Sequence, residues 1–162
     1  MISFKNRLVL ITGSTSGIGK AITLQLAKEG ANLIIADKAT DSLNILKSEC
    51  LKYTTFCETV SFDLSNPSEV TSAAADILAK YGPVYLLINN GGISQRSLAV
   101  ETPVELDRKI MEIDFFSYII LTKALLPSMI EHKEGYIAAT SSLSGKFGFH
   151  QRAAYAAAKH AV

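Results

Sequence analysis

The chain has 162 residues, 48% of them hydrophobic and 19% charged, so it is sized for a single globular domain over residues 1–162 with a real buried core. Sixteen Lys and Arg stand against 15 Asp and Glu for a net charge of +1, and no run of like charge forms a patch, which leaves nucleic acid without an electrostatic footprint. Cys50 and Cys57, like His132, His150 and His160, have no companions at metal-ligand spacing, so no metal site is expected and a reduced, cytoplasmic compartment is the simplest reading.

Leu8 to Ile11 is a short apolar run, too brief for a signal-peptide core or a membrane span, and reads as a strand buried on both faces. No membrane segment is expected. Ile18 to Gly30 carries apolar residues at helical spacing and stops at a glycine. Leu33 to Ala36 is a second buried strand ending at Asp37, a helix follows from about Asp41 to Lys52, and the β-branched and aromatic stretch Thr54 to Asp63 predicts a third strand. Asn66-Pro67-Ser68-Glu69 has the form of a capping box with proline at the first helical position, which predicts a helix from Pro67 to about Tyr81. Val84 to Ile88 is strand four. Thr102-Pro103-Val104-Glu105 repeats that start signal and opens a long helix reaching at least Leu126, where Pro127 is expected to kink or restart it. Tyr136 to Thr140 is strand five. Ala153 to Val162 is alanine-rich with no stop signal, so the chain is expected to end inside a helix, as a truncated one would. Apolar surface left bare there predicts a 162-residue chain that is poorly soluble or inactive by itself. The alternation of strand and helix is that of an α/β fold, a doubly wound parallel sheet with helices on both faces.

Thr12-Gly13-Ser14-Thr15-Ser16-Gly17-Ile18-Gly19 lies between the first strand and the first helix. Glycines there allow a tight turn and close approach to a pyrophosphate, which the helix N-terminus attracts. An ordinary turn is the bland reading. A mononucleotide P-loop is a competing one, but that motif needs glycine where Ser14 stands and Ser or Thr where Ala21 stands. Asp37, 18 residues after Gly19 at the end of the second strand, can accept hydrogen bonds from adenosine ribose hydroxyls. Its charge opposes a 2′-phosphate and so favours NAD over NADP, although Lys38 is placed to offset part of that repulsion.

Joined to Asn89-Asn90-Gly91-Gly92 and to Tyr155-Ala-Ala-Ala-Lys159, this turn makes the sequence resemble the short-chain dehydrogenase/reductase family. The family shows T-G-x-x-x-G-x-G, N-N-A-G, a serine 13 residues before the tyrosine, and Y-x-x-x-K; here they fall on Thr12 to Gly19, Asn89 to Gly92, Ser142, and Tyr155 with Lys159. The stretch Asn89 to Ser97 is similar to a branch of dehydrogenase/reductase enzymes often membrane-associated in animals. The resemblance implies a Rossmann-type sheet, incomplete at the C-terminus because the family continues through a further strand, a substrate flap and a last strand. It implies hydride transfer between NAD or NADP and a small carbonyl or alcohol substrate, with a homo-oligomer in the full-length form. Cofactor contacts implied are Gly13, Ser14, Ser16, Gly17, Ile18, Gly19, Asp37, Asp63, Leu64, Asn90, Gly91, Tyr155 and Lys159, with Asp63 near adenine and Lys159 on the nicotinamide ribose. Two departures are visible. The pair Gly91-Gly92 loosens the turn after strand four, and Asp114 occupies the place where the family has an asparagine that holds a relay water.

Tyr155 and Lys159 are four apart and share one helix face. A phenol titrates near pH 10 in water, and a neighbouring ammonium favours its phenolate, which suits Tyr155 to general acid/base work. Ser142 follows strand five at the carboxyl edge of the sheet, where its hydroxyl can hold the substrate oxygen. Singly, each has a plainer reading: a core tyrosine, a solvated lysine, a loop serine, and asparagines at 89 and 90 that merely close a turn. Together they favour an enzyme with catalytic Ser142, Tyr155, Lys159 and Asp114, the last expected beside Lys159. The alternative is a nucleotide-binding but inactive fragment or scaffold, and a flavodoxin-like or P-loop protein is disfavoured by Asp37 and the failed P-loop match.

Overall fold

The computed structural model describes residues 3–162. Along the chain run β1 (Leu8–Thr12), α1 (Gly17–Lys28), β2 (Asn32–Asp37), α2 (Thr40–Cys50), β3 (Cys57–Ser61), α3 (Pro67–Tyr81), β4 (Leu86–Asn89), α4 (Val104–Met111), α5 (Ser117–Glu131), β5 (Tyr136–Ala139) and α6 (Ala153–Ala161). The five strands form one sheet in the order β3-β2-β1-β4-β5, and every neighbouring pair is parallel. Winding proceeds outward from β1 through β2 to β3, then restarts on the other side at β4. The carboxyl ends of β1 and β4 therefore border the crevice where such sheets bind ligands.

Strand residues alternate between two apolar layers because successive side chains point to opposite faces. Val9, Ile11, Leu33 and Ile35 meet Leu26, Leu43 and Leu46 of α1 and α2. Leu10, Ile34 and Ala36 meet Val70 and Ile77 of α3 and Leu121, Leu125 and Met129 of α5. Each fully buried Leu or Ile contributes about 1.5–3 kcal/mol relative to exposure. Cys50 and Cys57 are buried free thiols in the first layer, where the neighbouring Cys50 sulfur, and then burial, push the Cys57 thiol up. A third cluster joins Ile110 of α4 to Ala154 and Ala158 of α6, with Tyr155 packed against it.

Several expected boundaries move for local reasons. The third strand is shorter than Thr54 to Asp63, because Tyr53 N and Thr54 N both donate to Cys50 O and Thr54 Oγ1 turns in to donate to Ala31 O at 2.7 Å. Strand four begins at Leu86, where pairing with Val9 starts. Asn66 does cap α3, its Oδ1 accepting from Ser68 N and Glu69 N. Thr102 caps nothing. Pro103 takes the flanking position of α4 without a side-chain acceptor, and Thr102 Oγ1 instead donates to Leu98 O at 2.8 Å and meets Ser97 Oγ and Gln95 Nε2.

Pro127 does not interrupt α5; the irregularity lies earlier, where one wider π-helical turn, Glu112–Phe116, joins α4 to α5. Extra residues in a helical turn bulge the backbone and re-aim side chains, and Asp114 sits in that turn. The combined helical run Val104–Glu131 is long and apolar enough to cross a membrane, but Leu121, Leu125 and Met129 are consumed in packing against the sheet and α3. Among the described residues β5 pairs with β4 alone, and its four residues are exposed, Tyr136 at 44% and Ile137 at 41%.

Candidate active site

The crevice is built on a contact between two turns. Gly13 has φ of 61°, and a Cβ there would stand 2.5 Å from Gly91 Cα; a Cβ on Gly19 would collide with Gly13 O. Only glycine allows both the left-handed backbone and the close approach. Asn90 fixes the contact, its Nδ2 donating to Thr12 O (3.2 Å) and Gly13 O (3.1 Å) while its Oδ1 accepts from Thr140 Oγ1 (3.0 Å). Thr12 Oγ1 accepts from Asn90 N and Gly91 N, both at 3.0 Å. Ser16 precedes α1 without capping it, so the N–H groups of Gly17, Ile18 and Gly19 stay unclaimed by a side chain, as an anion site requires. Ser14 is fully buried and ties the turn to β2 through Ala36 O, and Ile18 is 62% exposed.

A groove of about 250 Å³ runs from this turn between the strand ends, walled by Gly13, Ser16, Asp37, Asp63, Leu64 and Gly91 together with Thr12, Lys38, Gly92, Ile93 and Lys109. Asp37 Oδ2 accepts from Thr15 N (3.1 Å) and Thr15 Oγ1 (2.6 Å), and Oδ1 from Lys38 N (2.7 Å). An ionised carboxylate has about four acceptor sites, so room for a further donor is left. Lys38 turns its ammonium away from Asp37 and onto Asp63 Oδ2, 2.5 Å away. That ion pair, with the Ser65 N–H, brings the Asp63 carboxyl down to about 2.

At the other end of the edge, Ser142 and Tyr155 line a shared cavity of about 480 Å³ with Arg96, Leu143, Phe149, His150 and Arg152. Ser142 Oγ accepts from Ser144 N at 3.1 Å, opening a short 3₁₀ turn, Leu143–Gly145. Arg152 donates to Ser94 Oγ, with its guanidinium 5.6 Å from the Tyr155 ring centre.

Lys159 lies between groove and cavity. It is 4% exposed and its Nζ is 5.9 Å from the Tyr155 ring centre. Nζ stands 3.2 Å from Asp114 Oδ2, donates to Thr140 O at 3.0 Å, and reaches Tyr118 Oη at 3.4 Å. Asp114 is fully buried; its Oδ1 accepts from Ile93 N at 2.8 Å, while Oδ2, close to the ammonium, is off the line of any hydrogen bond. Burial pushes the Asp114 carboxyl up, against the Ile93 N–H and the Lys159 charge. Tyr118 is 4% exposed and donates to Gly91 O at 2.9 Å. Burial, and then the Asp114 charge, push its phenol up. A Cβ on Gly92 would sit 2.8 Å from Asp114 Oδ2, so the second glycine of the pair leaves space for the carboxylate. Gly91, which stands at the alanine of N-N-A-G, would aim a Cβ at Leu64 Cδ1.

Sequence reasoning missed Thr12, Ile93, Lys109 and Tyr118. Thr12 was visible as the first residue of the glycine turn, but the other three lie in ordinary amphipathic or apolar context and gave no signal. Of the expected cofactor contacts, Ser14, Gly17, Ile18 and Gly19 of the glycine turn lie off the groove wall, as do Asn90, Tyr155 and Lys159.

The profile of the family described as short chain dehydrogenase matches residues 7–162. The mouse (Mus musculus) protein named Dehydrogenase/reductase SDR family member 7B is 43% identical over 163 residues, covering 98% of this chain and 50% of that one. The chain spans about half the length of the curated relatives it matches. Among solved structures, a short-chain dehydrogenase from Streptomyces avermitilis superposes with a TM-score of 0.90 at 33% identity, covering 97% of this chain and 57% of the other. A metagenomic short-chain oxidoreductase in complex with NADP superposes at 0.94 with 27% identity, covering 99% and 73%.

Proposed function

We propose that this chain, which belongs to the short-chain dehydrogenase family, carries the nucleotide-binding and catalytic residues of an oxidoreductase that moves a hydride between NAD or NADP and a carbonyl or alcohol substrate. The observation that carries this reading is the buried Lys159–Asp114 pair: Asp114 accepts from Ile93 N of the groove wall, and Lys159 Nζ stands 5.9 Å from the ring centre of Tyr155, which shares a cavity with Ser142. Similarity to a structure holding NADP supports the nucleotide. An inactive, nucleotide-binding role is the weaker reading, since it leaves the convergence of Ser142, Tyr155 and Lys159 without a purpose.

The groove residues have the chemistry that the adenosine and pyrophosphate part of a dinucleotide needs. The unclaimed N–H groups of Gly17, Ile18 and Gly19 would hold a pyrophosphate, Asp37 a ribose diol, and Asp63 and Leu64 would stand near the base. A nicotinamide bound along this edge supplies or accepts the hydride. Ser142 Oγ holds the substrate oxygen by a hydrogen bond. The Tyr155 hydroxyl gives that oxygen a proton in reduction and takes it back in oxidation. Lys159 keeps a positive charge beside the phenol in a water-poor setting, where it acts more strongly than in bulk solvent. Asp114 sets how much of that charge is neutralised.

Three measurements test this reading in the full-length protein. Tyr155→Phe removes the proton donor, and kcat is expected to fall by about 10²–10⁴ with NADH affinity nearly unchanged; activity close to the unmutated level would refute the assignment. Fluorescence titration is expected to give tighter NADH than NADPH binding, because Lys38 is held by Asp63 and leaves the Asp37 charge facing a 2′-phosphate. Asp37→Ala should narrow that gap by roughly tenfold or more, and tighter NADPH binding before mutation would overturn the preference. Asp114→Asn removes a negative charge 3.2 Å from the Lys159 ammonium. The rise of alcohol-oxidation rate with pH should then move to lower pH, whereas a superimposable profile would mean that Asp114 is neutral in the working enzyme.

A further inference from the structure

The cavity of about 480 Å³ that Ser142 and Tyr155 share has Arg96, Arg152 and His150 in its wall and no carboxylate. The groove is balanced by contrast, with Lys38 and Lys109 set against Asp37 and Asp63. Among the described residues neither arginine lies within ion-pair distance of an acid. Arg152 gives one N–H to Ser94 Oγ, a neutral acceptor, and its guanidinium lies 5.6 Å from the Tyr155 ring centre. A guanidinium has five donors, so most of its hydrogen-bonding capacity is still open. Arg152 also stands immediately before α6, at the positive end of the helix, with no acid in the first turn to offset its charge; a cation is disfavoured there. Stability by itself gives no reason to gather positive charge at this place.

The two arginines are held in register. Ser97 N donates to Gln151 O at 3.3 Å, which ties the loop carrying Arg96 to the segment carrying Arg152. Gln151 holds a φ of 63°, a conformation that residues with a side chain rarely adopt. We propose that the substrate bears an anionic oxygen group, a carboxylate or a phosphate, which Arg96 and Arg152 clamp while its carbonyl or alcohol oxygen meets Ser142 and Tyr155. Guanidinium groups bind such anions through paired N–H donors, which fixes orientation as well as charge. Leu143 and Phe149 of the same wall offer apolar surface to the carbon chain between the two ends. The proposal rests on the reading that this cavity holds the substrate.

The test uses the full-length protein loaded with NADH, which fills the groove and keeps anions from binding at the glycine turn. It is titrated with alcohols, which NADH cannot turn over, and binding is read from the nucleotide's fluorescence. Each anion is matched to a neutral counterpart: β-hydroxybutyrate to its methyl ester, and propanediol phosphate to propanediol. In at least one pair the anion is expected to bind about tenfold tighter or more, the worth of a charge-assisted hydrogen bond, and the pair that responds tells carboxylate from phosphate. Arg96→Gln and Arg152→Gln should each cut the ratio of the two affinities by about tenfold. A general loss of packing weakens both members of a pair alike and leaves the ratio where it was. No preference for the anion in either pair overturns the proposal, and so does a preference that both substitutions leave intact, which would place the anion elsewhere. Failure to bind NADH refutes the nucleotide reading, and this proposal with it; NADH binding without any anion preference removes this proposal alone.

Discussion

The contact of Gly13 with Gly91 is the constraint on which the site depends. It joins the turn after β1 to the turn after β4, the two strands between which the winding of the sheet reverses. A side chain at Gly13 would push the turns apart and widen the crevice, whereas a Cβ at Gly91 would first meet the flexible end of Leu64. Asn90 and Thr12 turn that steric fit into a bonded one, and through Thr140 they also fix the end of β5. From there the order passes to Lys159, which donates to Thr140 O. Groove and Lys159 are thus registered by one set of hydrogen bonds, not by two independent loops.

The buried charges follow from that registration. An ion pair such as Lys159 with Asp114, 4% and 0% exposed, is weak evidence for stability, because desolvation can exceed the attraction. Its retention among the apolar contacts of α4 and α6 is easier to understand as chemistry than as packing. The wider turn Glu112–Phe116 aims Asp114 at the pair, Gly92 leaves space for the carboxylate, and Ile93 N–H stabilises its charge. Asparagine at 114 would leave the ammonium net positive; aspartate makes the cluster closer to neutral and gives this chain a different electrostatic starting point beside Tyr155.

Much of this was legible in sequence wherever the cause is local. Strand-helix alternation, the glycines of the first turn, Asp37 at a strand end and the four-residue spacing of Tyr155 and Lys159 are short-range patterns. Asn66 was readable as a cap because its side chain supplies the acceptor. Thr102 was misread for the same kind of reason: the same letters occur, but Pro103 takes the flanking position and the threonine hydroxyl is claimed by Leu98 O. Pro127 promised a break that the packing of Leu125 and Met129 overrides, while the real irregularity at Glu112–Phe116 has no proline or glycine to announce it. Lys38 was assigned to Asp37 as its sequence neighbour, yet Asp63, 25 residues away, holds it. Tyr118 gave no signal in the sequence, because only the assembled fold brings its hydroxyl to Lys159.

Amide hydrogen exchange with and without saturating NADH tests the central claim most directly, since it reports where a nucleotide sits without relying on turnover. Binding across the carboxyl edge of β1, β2 and β4 predicts slower exchange over Gly13 to Gly19, around Asp37, Asp63 and Leu64, and over Asn90 to Ile93. The opposite end of the sheet holds a cavity of about 540 Å³ lined by Arg7, Phe56, Tyr81 and Tyr85, and it should show no change. Protection confined to that opposite cavity, or none at the glycine turn, would contradict the account.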